Sequence, residues 1–179
     1  MSADDYRIGT AAPQEAGSLY SLMRGVWEGL EDKSLFAVED LDEDWVRRQL
    51  ETGFGVTART PDGTLAGMLM VCRYGRDAEN LGFDLGYPPE ALEQVCNLEC
   101  AAVLPEHRGH GLESRMFAHA EALLRGTDVR LMAMTVSPDN PASLRSAERA
   151  GFRVALTKKK YGGLLRHVLI KPMPAAGEE

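Results

Sequence analysis

Val103-Leu104-Pro105-Glu106-His107-Arg108-Gly109-His110-Gly111-Leu112 passes from an apolar strand through a proline into a basic, glycine-bearing turn and then into an amphipathic helix. Two glycines let the main chain approach a ligand without Cβ interference. The N–H groups that open the helix lack intrahelical acceptors and point outward with the positive end of the dipole. That combination suits a diphosphate, with Arg108 and His110 as side-chain donors. A strand-to-helix turn with glycine also occurs without any ligand, so the elements on either side of it have to discriminate.

Upstream of the turn, Asn97 to Leu104 reads as a strand. Downstream, Gly111 to Arg125 repeats Leu112, Met116, Ala120, Leu123 and Leu124 at helical spacing. Val129 to Val136 is apolar on both faces, as a covered central strand should be. Asn140-Pro141 then pairs an N-cap with a proline at the first helical position, and that helix ends at Gly151. Phe152 to Leu156 and Arg166 to Ile170 read as the last two strands, separated by Thr157-Lys158-Lys159-Lys160-Tyr161-Gly162-Gly163.

Toward the N-terminus, Tyr6 to Thr10 reads as a first strand and Pro13 to about Leu30 as a helix with Leu19, Leu22, Met23 and Val26 on one face. Asp42-Glu43-Asp44 supplies the acidic first turn of a second helix, whose stripe is Trp45, Val46 and Leu50 and which Gly53 stops. Phe54 to Thr60 and Leu65 to Tyr74 form a hairpin around Pro61-Asp62-Gly63-Thr64. Gly75 to Glu93 is rich in Gly, Asp and Pro and reads as a long loop, with Pro88-Pro89-Glu90 placed to open a short helix.

A length of 179 residues, 44% hydrophobic and 26% charged, fits one domain, assigned to residues 5–172 and followed by a small, polar, disordered tail over 173–179. The 27 acidic and 20 basic residues leave a net charge of -7, which argues against nucleic-acid or membrane partners because both are polyanionic. Met1 to Tyr6 has no positive stretch leading into an apolar core, and no window approaches a membrane span, so the expected compartment is the cytoplasm. Cys72, Cys96 and Cys100 are an odd set without C-x-x-C spacing, which predicts buried thiols and no metal site.

Read together, V-x-P-x-x-R-G-x-G, followed about thirty residues later by N-P-A-S-L and then A-G-F, resembles the GNAT acetyltransferase superfamily, whose members move an acyl group from coenzyme A to an amine. The resemblance spans Tyr6 to Lys171, and its specific residues lie between Leu98 and Phe152. It implies an α/β fold: a central mixed, mostly antiparallel sheet of about seven strands, splayed between strands four and five, with helices on both faces. Acetyl-CoA is then the expected co-substrate, with no metal, and the expected partner is a small-molecule amine acceptor. Homodimers are frequent in the family.

Carried over position by position, the pyrophosphate would lie on the amides of Gly109, His110, Gly111, Leu112 and Glu113, with Arg108 as the first basic residue of the motif. The thioester and pantetheine would lie against the main chain of Ala101, Ala102 and Val103, where two alanines leave room. Asn140 would cap its helix and contact pantetheine. Glu99 is the implied general base, and an apolar sheet around it should raise its pKa toward the working range. The alternative is that an arginine or a lysine pairs with Glu99, which then only shapes or charges the acceptor cleft.

Two positions depart from the pattern. Glu113 stands where the motif takes a small residue, and a carboxylate one turn from a diphosphate is unhelpful unless it points away. Ala147 stands where many members carry the tyrosine that protonates the departing thiolate, leaving Tyr161, Tyr74, Cys100 or water as replacements. The acidic cluster Glu28, Glu31, Asp32, Glu39, Asp40, Asp42, Glu43 and Asp44 either walls an acceptor pocket that prefers cationic amines or consists of solvated helix ends. The basic run from Lys158 is read first as a solvated hairpin edge. A non-catalytic acyl-CoA sensor is the rival from another class. A nucleotide-phosphate binder is disfavoured because neither G-x-x-x-x-G-K-[ST] nor G-x-G-x-x-G is present.

Overall fold

In a computed structural model that describes residues 2–175, the extended runs assemble into one seven-stranded sheet. Its strands are β1 (Arg7–Thr10), β2 (Phe54–Arg59), β3 (Leu65–Cys72), β4 (Val95–Val103), β5 (Leu131–Val136), β6 (Arg153–Lys160) and β7 (Leu164–Pro172), in the spatial order β1-β2-β3-β4-β5-β7-β6. Each neighbouring pair is antiparallel except β4 and β5, which run parallel. The mixed, mostly antiparallel sheet is the architecture the resemblance implied.

Strand β3 shows why helices cover both faces. Alternate residues of a strand point to opposite sides, and Leu69 and Val71 enter one apolar cluster while Met68, Met70 and Cys72 enter another. On the first side lie α4 (Leu112–Leu124), through Met116, Phe117 and Ala120, and α5 (Pro141–Arg149), through Ala147. On the second lie α1 (Ala16–Glu28), through Leu19, Met23 and Val26, and α2 (Glu43–Thr52), through Val46. A strand covered on both faces reads as an unbroken apolar run, as Leu65 to Cys72 does.

The expected caps are present. Asp42 accepts from the Trp45 amide at 2.7 Å, and Asn140 accepts from the Ser143 amide at 3.2 Å. Gly53 has a further reason to be glycine: a Cβ there would sit 1.9 Å from the Val71 carbonyl oxygen. The end of α2 therefore rests directly on β3.

Three expectations change. The segment from Gly75 to Glu93 is not a featureless loop: it holds a one-turn helix, α3 (Leu81–Asp84), and a 3-10 turn over Pro89–Gln94. Asn80, fully buried, organises it by donating to the Gly75 and Leu92 carbonyls at 2.6 and 3.0 Å and accepting from the Gly82 amide at 2.8 Å. The basic run is strand rather than connection, because β6 and β7 continue their ladder to the pair Lys160–Leu164 and leave only a tight turn between them. At the C-terminal end, Pro172 pairs with Leu131, and Met173 is buried with its amide 2.9 Å from the Arg130 carbonyl. Order thus runs past the expected start of the tail, whose residues 176–179 lie outside the described residues.

Candidate active site

Strands β4 and β5 pair over only three positions, Val95–Leu131, Cys96–Met132 and Asn97–Ala133. Beyond them β4 stays on β3 as far as Val103, and β5 stays on β7 as far as Val136. A wedge opens between the two strands, and the edge of β4 from Leu98 to Val103 has no ladder partner on that side. This stretch also carries a bulge. Between the pairs Met70–Glu99 and Met68–Ala102, β3 advances two residues and β4 three. Cys100 takes up the excess with φ 54°, a conformation that costs a non-glycine residue about 1–2 kcal/mol and re-aims the neighbouring amides.

The wedge runs into the quoted turn. Gly109 and Gly111 have φ 81° and 68°, left-handed values that account for both glycines. No side chain caps α4, and the first backbone bond of the helix goes from the Arg115 amide to the Gly111 carbonyl at 3.1 Å. The amides of Leu112, Glu113 and Ser114 are left to face an anion. Arg108 is exposed and folds back so that its Nε donates to the Val103 carbonyl at 3.2 Å. The His110 ring lies 5.2 Å from that of Tyr6, with Nδ1 3.1 Å from the His107 carbonyl. Its orientation is thus set by the turn itself.

At the other end of the wedge, roughly 13 Å up the strand from Val103 at about 3.3 Å per residue, is Glu99. Tyr74 donates its hydroxyl to Oε2 and Asn97 donates its amide to Oε1, both at 3.1 Å. Burial pushes the Glu99 carboxyl up, and the bonds from Asn97 and Tyr74 offset part of that rise. Among the described residues no lysine or arginine forms an ion pair with Glu99. Across the gap, the Tyr161 hydroxyl is 3.0 Å from Thr135 Oγ1 on β5, and Tyr161 itself has φ 49°. Asp84 of α3 meets Lys158 and Lys160 of β6 at 2.7 Å each, and Arg166 of β7 donates to the Ser34 carbonyl between α1 and α2. Three separate segments are thereby tied together around the mouth of the wedge.

The family model for the GNAT acetyltransferases matches residues 18–152. The chain belongs to that family. No curated protein sequence matches it closely, but solved structures do match in fold. A phosphinothricin acetyltransferase from Sinorhizobium meliloti in complex with AcCoA has a TM-score of 0.73 at 15% identity, over 97% of this chain and 91% of that one. The ribosomal-protein-alanine N-acetyltransferase of Brucella melitensis has a TM-score of 0.72 at 17% identity, over 93% and 99%. NAA60 of Arabidopsis thaliana, in complex with acetyl-CoA, has a TM-score of 0.70 at 14% identity, over 93% and 98%.

Within this GNAT fold, the structure brings Glu99, Ala101, Ala102 and Val103 onto the unpaired edge, and Arg108 to Glu113 onto the turn that follows. Ala102 packs toward α1 and α2, while Ala101 and Val103 lie on the α4 side. The Glu113 carboxyl turns away from the turn toward α5, where the hydroxyls of Ser146 and Ser143 face it. Asn140 uses its Oδ1 for the cap, leaving its amide nitrogen toward solvent or ligand.

The other candidates sort differently. Of the acidic cluster, Asp32 and Asp42 cap turns, and Glu43 and Asp44 pair with Arg47, so half of it has local structural work. The basic run is more than a solvated edge, since Lys158 and Lys160 both hold Asp84. Burial and the nearby Glu99 push the Cys100 thiol and the Tyr74 and Tyr161 phenols upward, which makes each a poorer acid. Sequence reasoning missed Asn97, whose Oδ1 accepts from the Leu81 amide at 3.2 Å while its Nδ2 serves Glu99 and the Glu79 carbonyl. A lone polar residue in the apolar run Val95 to Leu98 was the available signal.

Proposed function

We propose that the protein is an acetyl-CoA-dependent N-acetyltransferase that acts on the primary amine of a small molecule, by direct attack within a ternary complex. The observation that carries this reading is the continuity of one surface: the bulged, unpaired edge of β4 leads without interruption into the uncapped start of α4, with Glu99 at its far end. The acetyl-CoA bound in the phosphinothricin acetyltransferase and in NAA60 supports the same choice of donor. No helix among the described residues is long and apolar enough to cross a membrane, and a cytoplasmic enzyme fits the supply of that donor.

Each part of the surface has a role. The amides after Arg108 take the diphosphate and the edge from Ala101 to Val103 takes the pantetheine arm, with Asn140 beside it. Main-chain N–H groups near the bulge receive the charge that develops on the thioester oxygen, and one such donor is worth about 10²- to 10³-fold in rate. Glu99 accepts the amine proton, directly or through a water, as the C–N bond forms. The C–S bond then breaks and the thiolate takes a proton from solvent, since a thiol of pKa about 8.5 leaves readily. The ties from Asp84 to β6 and from Arg166 to Ser34 narrow the mouth, which favours a small acceptor over a protein chain.

Acetyl-CoA-dependent release of free thiol, measured with a panel of small amines and with peptides, tests the proposal. Turnover with a small amine supports it. Binding of acetyl-CoA without turnover on any amine would leave a sensor, the reading that Glu113 and Ala147 favour. No calorimetric heat with acetyl-CoA or coenzyme A at high protein concentration would remove the assignment.

A further inference from the structure

Glu113 is the second residue of α4, and its own amide belongs to the first turn that faces an anion. Its carboxyl is held between α4 and α5, where Ser146 and Ser143 present hydroxyls to it. The helix contact is close on both sides of that pocket, because Ser114 Oγ donates to the Ser146 carbonyl at 3.1 Å. No cation compensates the group. Neither Glu106, His107, Arg108 and His110 of the turn, nor Arg115, His119 and Glu121 of α4, nor Arg145, Glu148 and Arg149 of α5 contributes to its shift. Burial alone lifts it to about 7, with the two serines pulling the other way.

A carboxylate fixed there has two responses when a diphosphate arrives one turn away: it swings out, or it takes a proton. Swinging out means leaving both serines and the helix contact. We infer that Glu113 makes coenzyme binding proton-linked, taking up a proton from solvent as the diphosphate docks on the first turn of α4. Glu113 is a positioning residue in this arrangement: once protonated it donates to α5 and stops repelling the ligand. The inference rests on the coenzyme reading above and adds a residue that the family pattern lacks.

Isothermal titration with 3′-dephospho-CoA, in two buffers of different ionisation enthalpy, counts the protons. Dephospho-CoA is the probe because the 3′-phosphate of coenzyme A titrates near pH 6 itself. A carboxyl half ionised at pH 7 takes up about half a proton there, about 0.9 at pH 8 and about 0.1 at pH 6. His107 and His110 also gain protons beside an anion, so the parent is compared with Glu113→Gln, in which both remain. Glu113→Ala, the small residue that the motif expects, serves if the Gln variant does not fold. We expect the parent to take up about half a proton more than either variant at pH 7, and Kd for the variants to be about tenfold tighter than for the parent at pH 8 and equal at pH 6. Equal proton counts, or a Kd ratio independent of pH, would overturn the inference while leaving the coenzyme reading intact. No heat with any of the three proteins would instead remove the coenzyme reading, and this inference with it.

Discussion

Replacing Glu99 by Gln separates a base from a bystander, because the geometry fixes what each would lose. In Glu99→Gln the amide oxygen and nitrogen take the places of Oε1 and Oε2, so Tyr74 and Asn97, now 3.1 Å away, keep polar partners. Exchanging a charge-assisted hydrogen bond for a neutral one forfeits about 1 kcal/mol per bond. Against that, the desolvation of a carboxylate disappears. Burial holds the Glu99 pKa above its unfolded value, so the stability this group contributes is complete below the unfolded pKa and is lost as pH rises through the folded one. The Gln variant has no such decline, and its Tm should gain on the parent's between pH 6 and pH 8. Catalysis moves the opposite way. A positioned base contributes about 10²- to 10⁴-fold, equivalent to roughly 2.7–5.4 kcal/mol of barrier. With Glu99 as base, the parent's kcat/KM climbs about tenfold per pH unit until the carboxyl has ionised. The variant lacks that limb, so the ratio of parent to variant grows with pH to its plateau. Thiol release with one fixed amine from pH 5 to pH 9 reads both curves. A ratio near one at every pH would refute the base role and leave Glu99 as a residue that shapes the cleft.

Two perturbations away from the chemistry follow from the packing. Gly53→Ala places a Cβ 1.9 Å from the Val71 carbonyl oxygen, an overlap only main-chain movement relieves. We expect a loss of roughly 3 kcal/mol or more, and a Tm lowered by about 6–12 °C in a thermal melt. Gly25→Ala, exposed in α1 with nothing within 4 Å of the added Cβ, should instead gain about 0.5–1 kcal/mol. Asp84→Asn removes the acceptor of both Lys158 and Lys160 at a side chain only 10% exposed, and should lower urea stability at pH 7 by about 1–3 kcal/mol. Burial pushes the Asp84 carboxyl up, but the two lysines pull it below its ordinary range. Its contribution is therefore present above the unfolded carboxyl pKa of about 3.9 and lost as pH falls through the folded value, so the gap between parent and variant should close toward pH 3.

What was legible in the sequence is what local rules govern. The hairpin turn at Pro61 to Thr64, the caps at Asp42 and Asn140, the double-faced burial of β3 and the glycines of the turn all declare themselves through residue type and period. The wedge does not, because it depends on where a parallel pair stops, after Asn97 and Ala133, and nothing local to either strand marks that point. Only the resemblance supplied it. The bulge at Cys100 was hidden for a related reason: a positive φ is announced by glycine, and here a cysteine holds it. The segment from Gly75 to Glu93 misled because its order comes from Asn80 and Asn97, two buried amides whose partners are main-chain groups distant in sequence. The Lys158 to Lys160 run misled because its value lies in Asp84, which only the tertiary fold brings to it.

Ala147 shows how a departure from the family pattern is built into the packing. The obvious repair, Ala147→Tyr, would restore the missing hydroxyl, but Ala147 is fully buried in the cluster that holds Met116, Phe117 and Phe152. A ring introduced there has to displace the core or push α5 off α4. Overpacking of that kind typically costs about 1–3 kcal/mol and more where the backbone must move. Pushing α5 away also breaks the contact from Ser114 Oγ to the Ser146 carbonyl, 3.1 Å long, and withdraws Ser143 and Ser146 from Glu113. The two departures are thus one arrangement: an alanine lets the helices close, and their closing is what shelters the carboxyl. We expect Ala147→Tyr to melt several degrees below the parent and to show no gain in kcat, because a coenzyme thiol near pKa 8.5 leaves without an enzyme-bound acid. A variant that kept its Tm and turned over faster would place this position at the cleft instead of in the core, and would return the departing thiolate to the care of a tyrosine.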